Sequence, residues 1–281
     1  MAVTRTKKVF HSLRESKRGF IGCLIVLTVL VIALTAPWIS PFDPLKQDLK
    51  IRLKAPGFQS AEGIHWFGTD HLGRDIASRI IYGSRVSLQI SLMAVSIAAT
   101  LGIIIGLMTG YFRGSLDSIF MRLADIQLAF PFILLIIAVV SVVGPSMENI
   151  IIVLGITGWV VFARIVRSEV LSLREREFIT ASKALGSGNG KIIFLHLLPN
   201  VAASCIVLAT LEIARVIMVE AGLSFLGLGI PPPTPCWGGA LADGRTYLFT
   251  SWWLATFPGI SLMLTILGVN MMGDWLRDFF T

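Results

Sequence analysis

Residues 19–39 form an uninterrupted run of 21 positions without a charged side chain. At 1.5 Å per residue a helix of that length covers about 31 Å, the thickness of a bilayer's hydrocarbon core. Such a run constrains the fold more than any other feature, because lipid cannot hydrogen-bond an open backbone and only a helix or a closed barrel satisfies itself there. Five more apolar stretches follow, at 86–111, about 116–143, 150–170, 201–222 and 252–272. The pattern predicts an all-α polytopic membrane protein of six transmembrane helices. Only 15% of the residues are charged, against roughly a quarter in a soluble domain. The first run is also longer than the about 7–15 apolar residues of a cleaved signal peptide, so it reads as an uncleaved span.

The stretches divide the chain into a basic tail at 1–18, a first span at 19–39, an extracytoplasmic loop at 40–85, and a core at 86–281 with five spans. Arg5, Lys7, Lys8, Arg14, Lys17 and Arg18 in the tail, and the basic residues between Arg164 and Lys191, place both regions in the cytoplasm by the positive-inside rule. Six crossings then leave both termini inside. Lys46, Lys50, Arg52, Lys54 and Arg74 in the first outer loop run against that rule. The net charge of +7 reads as topology signal and lipid-headgroup contact, with no nucleic-acid partner. Cys23, Cys205 and Cys236 suggest neither a disulfide framework nor a metal cluster, and His65 and His71 lack a third ligand at metal-binding spacing.

Between the fourth and fifth spans lies a polar island at 177–200, inside a cytoplasmic loop at 172–200. Phe178, Ala181 and Leu185 fall on one stripe of a short helix, Gly186 ends it as a C-cap, and an apolar run at 192–198 leads to Pro199 at the start of the next span. The sequence at 186–192, G-x-x-x-G-K-I, is one spacer short of a P-loop and lacks its Ser or Thr. Other polar residues sit at membrane depth, where charge is costly and marks a cavity, a partner or an ion pair. Glu212 and Arg215 are spaced to pair on one helix face, with Glu220 near the outer end, and Arg122 and Asp125 are spaced likewise near the cytoplasmic interface, ahead of the third apolar core. Pro131 predicts a kink. Gly102, Gly106 and Gly110 form a stripe for close helix approach. Ile76, Arg79, Ile80 and Gly83 suggest a separate interfacial helix, and the Gly/Pro-rich 223–251 an outer piece that dips into the bundle.

The island resembles the coupling loop of permease subunits in ABC-type importers, patterned E-A-A-x3-G-x9-I-x-L-P. Thr180, Ala181, Ser182, Gly186, His196, Leu198 and Pro199 occupy the pattern positions. Thr, Ser and His at three of them are typical of the peptide/nickel branch of that family. The run GTDHLGRD at 68–75, the spacing D-x4-R-x2-D-x4-FP from Asp117 to Pro131, and GLSFLGLGIPPPTP at 222–235 resemble the same family. The resemblance implies a non-enzymatic permease subunit in a bacterial or archaeal cell membrane. It would pair with a second homologous permease, two ATPases carrying ATP and Mg²⁺, and an extracytoplasmic solute-binding protein, with no cofactor of its own. Phe178, Thr180, Ala181, Ser182, Ala184, Leu185, Gly186, His196, Leu198 and Pro199 would couple it to the ATPases. Glu212, Arg215 and Glu220 would serve the pathway or its gate. Di- or oligopeptides are the first expected substrate, nickel or another metal chelate the second. A proton-driven secondary transporter using Glu212, Arg215 and Glu220, and a non-transporting scaffold, are the rival classes.

Overall fold

The computed structural model describes residues 12–13 and 15–280. Of the basic tail, Arg5, Lys7, Lys8 and Arg14 lie outside the described residues. Helix α1, Lys17–Ile39, begins where the Ser16 hydroxyl accepts from the Gly19 amide at 3.1 Å. Helix α2, Ile76–Phe112, is a single helix of 37 residues capped by Asp75, whose carboxylate accepts from the Ser78 amide at 2.7 Å. The separate interfacial helix expected at 76–83 is therefore the first two turns of the second span. Nothing between Gly83 and Val86 breaks helix geometry, and Arg79 is buried by ion pairing instead of lying in the interface.

The expected third span is two helices, α3 (Gly114–Leu128) and α4 (Phe132–Val143), meeting at 90°. Pro131 makes a corner here, not a kink. It has an extended backbone (φ −56°, ψ 123°), and proline cannot supply the amide that would continue the ladder. Helix α5 is Met147–Leu173, α6 is Glu177–Ala184, and α7 is Asn189–Phe225. Two shorter and longer pieces complete the chain, α8 (Trp237–Arg245) and α9 (Trp253–Phe280). Among the described residues, five helices (α1, α2, α5, α7 and α9) are long and apolar enough to cross a membrane, and the bent pair makes a sixth span if counted as one. The protein is thus a predominantly helical, multi-pass membrane protein.

The core is organised on α2 and α5, which run side by side over most of their length. Their approach is set by the expected glycine stripe. A Cβ on Gly102 would lie 2.4 Å from Phe162 Cβ, on Gly106 2.7 Å from Val166 Cβ, and on Gly110 2.8 Å from Val170 Cβ. Without side chains on α2 the helices meet closely, which is how membrane helices gain dispersion contacts where no hydrophobic drive exists. Ile90, Ala94, Ala98, Ile150, Leu154 and Phe162 form the packed centre, closed by α4 through Ile136 and Val140. Helix α1 leans on α9, where Gly19 and Gly22 receive Trp275 and Met271.

Chain direction separates two polar ends. At one end α1 finishes, α2 begins and α7 runs out into the segment carrying α8. The loop between α1 and α2 folds there as a small unit, a 3₁₀ turn at Leu49–Ile51 and a hairpin of β1 (Phe58–Ser60) with β2 (Gly63–His65). It is tied to the bundle by the Phe42 amide on Ser78 Oγ at 3.0 Å. The segment 223–251 also packs here. Trp237 is buried and donates to the Ile80 carbonyl at 3.0 Å, so this piece is a wedge against α2. At the other end α2 and α5 finish, and α6 protrudes.

Candidate functional site

The protruding loop is built as helix, turn, helix. Helix α6 ends in a Schellman motif: the Gly186 amide bonds to the Lys183 carbonyl at 2.9 Å and the Ser187 amide to the Ser182 carbonyl at 3.1 Å. This closure needs a left-handed residue, and Gly186 supplies it at φ +79°. The turn is held to the bundle from below. Tyr111 donates to Asn189 Oδ1 at 2.8 Å, Arg174 donates to the Tyr111 carbonyl at 2.8 Å, and the Lys183 ammonium lies 5.1 Å from the Tyr111 ring centroid.

The apolar face differs from the expected one. Ile179 is the buried anchor of α6, fully enclosed with Leu107, Val166, Val170, Ile192 and Leu197. The stripe of Phe178, Ala181 and Leu185 points outward instead; Phe178 is 43% and Leu185 86% exposed. A helix of eight residues, about two turns, lying on the bundle buries one edge, and the β-branched Ile179 takes it. Thr180, Ala184 and Gly186 are exposed beside this stripe, and Ser182 is half-buried 3.5 Å from His196. His196 meets Phe178 edge-on at 6.3 Å. The loop thus presents an uncovered surface of small and apolar side chains on a base fixed by Ile179.

Pro199 opens the α-helical part of the next span, in its first turn, as expected. Helix α7 runs through it from Asn189, with one π-helical stretch at Ile192–Leu197 just before the proline. The widened turn places the Leu198 amide on the Ile193 carbonyl, which accommodates a position where proline offers no donor. The turn after α6 thus leads into the bundle through one helix, Asn189–Phe225.

The charged residues are distributed differently from the sequence reading as well. Asp125 pairs with Arg164 of α5, not with Arg122, which is exposed on its own helix. Arg167 of α5 grips Asp117 with two parallel bonds, 2.5 and 2.7 Å. Arg164 reaches Asp125 from the neighbouring helix, so spacing along α3 alone does not decide the pairing. Two pairs thus clamp α3 to α5 at the loop end. Glu212 and Arg215 do pair, Oε2 to Nε at 3.2 Å, and the guanidinium also lies 4.2 Å from the Phe132 ring centroid.

Glu220 is wholly buried between α2 and α7. Its oxygens accept from Ser224 Oγ at 2.8 Å and Ser87 Oγ at 3.3 Å, and Ser224 Oγ in turn accepts from the Ile230 amide at 3.3 Å. The carboxyl group therefore ties the segment after α7 to two spans. Cys236 ends the chain of contacts 3.8 Å from Ser224 Oγ, and burial pushes its thiol up to about 11. We expect Glu220→Ala to lower the thermal midpoint of the purified protein, at a cost of about 2–3 kcal/mol from two stranded hydroxyls and a void. Glu220→Gln should retain most of the stability. Equal melting of the Ala variant and the wild type would show that this tie holds nothing.

One network escaped the sequence reading altogether. Asp70, Arg74 and Arg79 meet Asp243 of α8, with Arg74 Nε 2.6 Å from Asp70 and Arg74 Nη2 3.2 Å from Asp243. Asp70 and Arg74 are close in sequence, but nothing local announced Asp243.

A bundle of apolar helices with one loop projecting from its end is the build of a membrane permease component. The chain belongs to the family described as binding-protein-dependent transport system inner membrane component, whose model matches residues 102–281. Residues 4–56 match the N-terminal TM domain of oligopeptide transport permease C. Among curated relatives, the dipeptide transport system permease protein DppC of Alkalihalophilus pseudofirmus is 46% identical, over 99% of this chain and 90% of its own length. The di/tripeptide transport system permease protein DppC of Pseudomonas aeruginosa is 39% identical, over 97% of this chain and 90% of its own. The nickel transport system permease protein NikC of Escherichia coli K12 is 41% identical, over 96% and 95%. The fold is similar to that of the MetNI methionine ABC transporter in an inward-facing conformation, with a TM-score of 0.59 at 18% identity over 73% of this chain and 97% of that one. The chain is therefore a non-catalytic permease subunit of an importer, working with ATPase and substrate-binding partners.

Proposed function

We propose that this chain forms half of the translocation pathway of an ATP-driven importer of di- and oligopeptides, beside a second, homologous permease. The single observation that carries the coupling half of this reading is the uncovered face of α6 on its rigid turn. Phe178, Thr180, Ala181, Ala184 and Leu185 are exposed together on a helix whose other edge is locked into the bundle. Small residues permit close approach and the two large ones provide apolar anchors, which suits insertion into a cleft of an ATPase subunit. ATP and Mg²⁺ stay on two such ATPases, beneath the membrane. ATP binding draws them together and carries the loop with them. Because α7 is continuous from Asn189 to Phe225, the displacement is passed to the far end of the bundle. There it shifts the equilibrium between inward-open and outward-open states, and the ATPases bias it through differential contact alone. A solute-binding protein delivers at that far end, which we place outside the cell, with the loop and both termini in the cytoplasm.

Peptide relatives at 46% and 39% identity support the substrate. The 41% identity to a nickel permease supports a metal chelate as the second reading. The test is uptake by the assembled transporter in proteoliposomes with ATP inside. We expect labelled Ala-Ala to accumulate against its gradient and ⁶³Ni²⁺ not to. Nickel accumulation without peptide uptake reverses the order of the two readings. Uptake that collapses with a proton gradient while ATP persists sinks both.

A further inference from the structure

At the end of the bundle away from α6, a cavity of about 310 Å³ lies between the loop before α2, the first turns of α2 and the segment leading into α8. That volume is at the lower end of small-ligand pockets. Its walls include His71, Arg74, Arg79 and Asp243, with Ser224 and the three consecutive prolines from Pro231. Two of these residues each carry a buried nitrogen without a hydrogen-bond partner, Arg79 Nη1 and His71 Nδ1. Arg79 is only 7% exposed. A buried guanidinium N–H without an acceptor is costly, so the site is chemically incomplete and what it lacks is an acceptor.

The neighbouring charges say which acceptor fits. Asp70 is buried and firmly held: Arg74 Nε donates to it at 2.6 Å, and the Leu72 and Arg74 amides donate at 2.9 Å each. Asp243 is held loosely, 3.2 Å from Arg74 Nη2 and 3.6 Å from Arg79 Nη2, with its side chain 35% exposed. Of the two carboxylates facing the arginines, Asp243 is the one that another carboxylate can displace. A divalent cation is the competing occupant, since Asp70, His71 and Asp243 bring ligand atoms within 4.8 Å of one another. Both of those carboxylates already face two guanidiniums, so a cation entering there meets fixed positive charge. An anion meets attraction and the paired N–H geometry that arginine offers to carboxylates.

We propose that this cavity binds a carboxylate of the transported solute, with Arg79 and Arg74 as donors and Asp243 as the placeholder that the solute displaces. The proposal rests on the reading of the chain as a permease for small peptides. It is tested by titrating the assembled transporter in nanodiscs with Ala-Ala and with its C-terminal amide. Ala-Ala should bind at least tenfold more tightly than the amide, and Arg79→Gln should erase that preference. Asp243→Asn should tighten Ala-Ala binding several-fold, an outcome that a damaged fold cannot produce. Equal affinity for acid and amide, or no gain in Asp243→Asn, overturns the proposal. Arg79-dependent docking of the solute-binding protein with no dipeptide bound at the cavity also overturns it, since the carboxylate would then be that protein's. Ala-Ala uptake by the wild type, measured in parallel, separates the two readings. Uptake without an amide preference sinks the cavity alone, whereas absent uptake sinks the peptide assignment.

Discussion

Replacing Gly106 by leucine is expected to abolish accumulation of folded protein, the largest effect of any single change in the bundle. A Cβ at Gly106 already falls 2.7 Å from Val166 Cβ and 2.8 Å from the Ala163 carbonyl oxygen. The carbonyl belongs to the α5 backbone and cannot rotate away, so the two helices must separate. Overpacking a filled site costs about 1–3 kcal/mol and at times more. Within a membrane, separation brings no compensating burial, because lipid tails are as apolar as the side chains they replace. The loss is spread along the principal helix pair of the fold, since Gly102 and Gly110 lie one turn to either side on the same line. Gly106→Ala should be intermediate, with about half the drop in thermal midpoint. Gly222→Ala is the control: a Cβ there meets nothing within 4 Å, and alanine is the better helix former. Wild-type melting of the Gly106→Leu protein would mean that α2 and α5 do not form the structural centre.

That stripe was legible in the sequence because its physics is local: three glycines at intervals of four define a face without reference to a partner. Five of the six expected spans were legible for the same reason, as was the Gly186 stop, since a C-cap depends only on residues within a few positions. Three things were not legible, and each failed where a distant side chain decided the outcome. Arg79 looked interfacial because a charge at helical spacing has no visible partner until Asp70 and Asp243 arrive from other segments. Asp125 looked committed to Arg122 by spacing, yet Arg164 on α5 holds it. The edge of α6 that faces inward could not be read from its own pattern, because Phe178, Ala181 and Leu185 make as good a stripe as Ile179 makes an anchor. The pocket formed by Leu107, Val166 and Ile192 selects between them. Pro131 marks the same limit from the other side. Proline announced a bend, but 90° depends on the surroundings of α3 and α4.

Gly186→Leu is expected to leave the subunit in the membrane at near wild-type amounts while lowering ATP-driven uptake at least tenfold. Nothing lies within 4 Å of a Cβ built on Gly186, so the substitution brings no clash with the bundle. What it brings is a side chain at φ +79°, a left-handed conformation that costs an L-residue about 1–2 kcal/mol. A bundle anchored by Ile179, Tyr111 and Arg174 withstands that cost. The Schellman closure does not, because it is a single turn whose two bonds require that one residue to be left-handed. Once it opens, Leu185 and the exposed face of α6 lose their fixed direction relative to α7. A loop that transmits force fails when its geometry is soft, even if every contact residue remains. Substrate-stimulated ATPase activity should then fall together with uptake, while basal hydrolysis by the partner subunits persists. Gly186→Asn, whose side chain tolerates the left-handed region, should recover most of the transport. If Leu and Asn variants transport alike at the wild-type rate, the turn is not the mechanical link and α6 is an ordinary surface loop. If both lose transport and membrane insertion together, the defect is one of folding, and the link must be sought in the π-helical stretch before Pro199 instead.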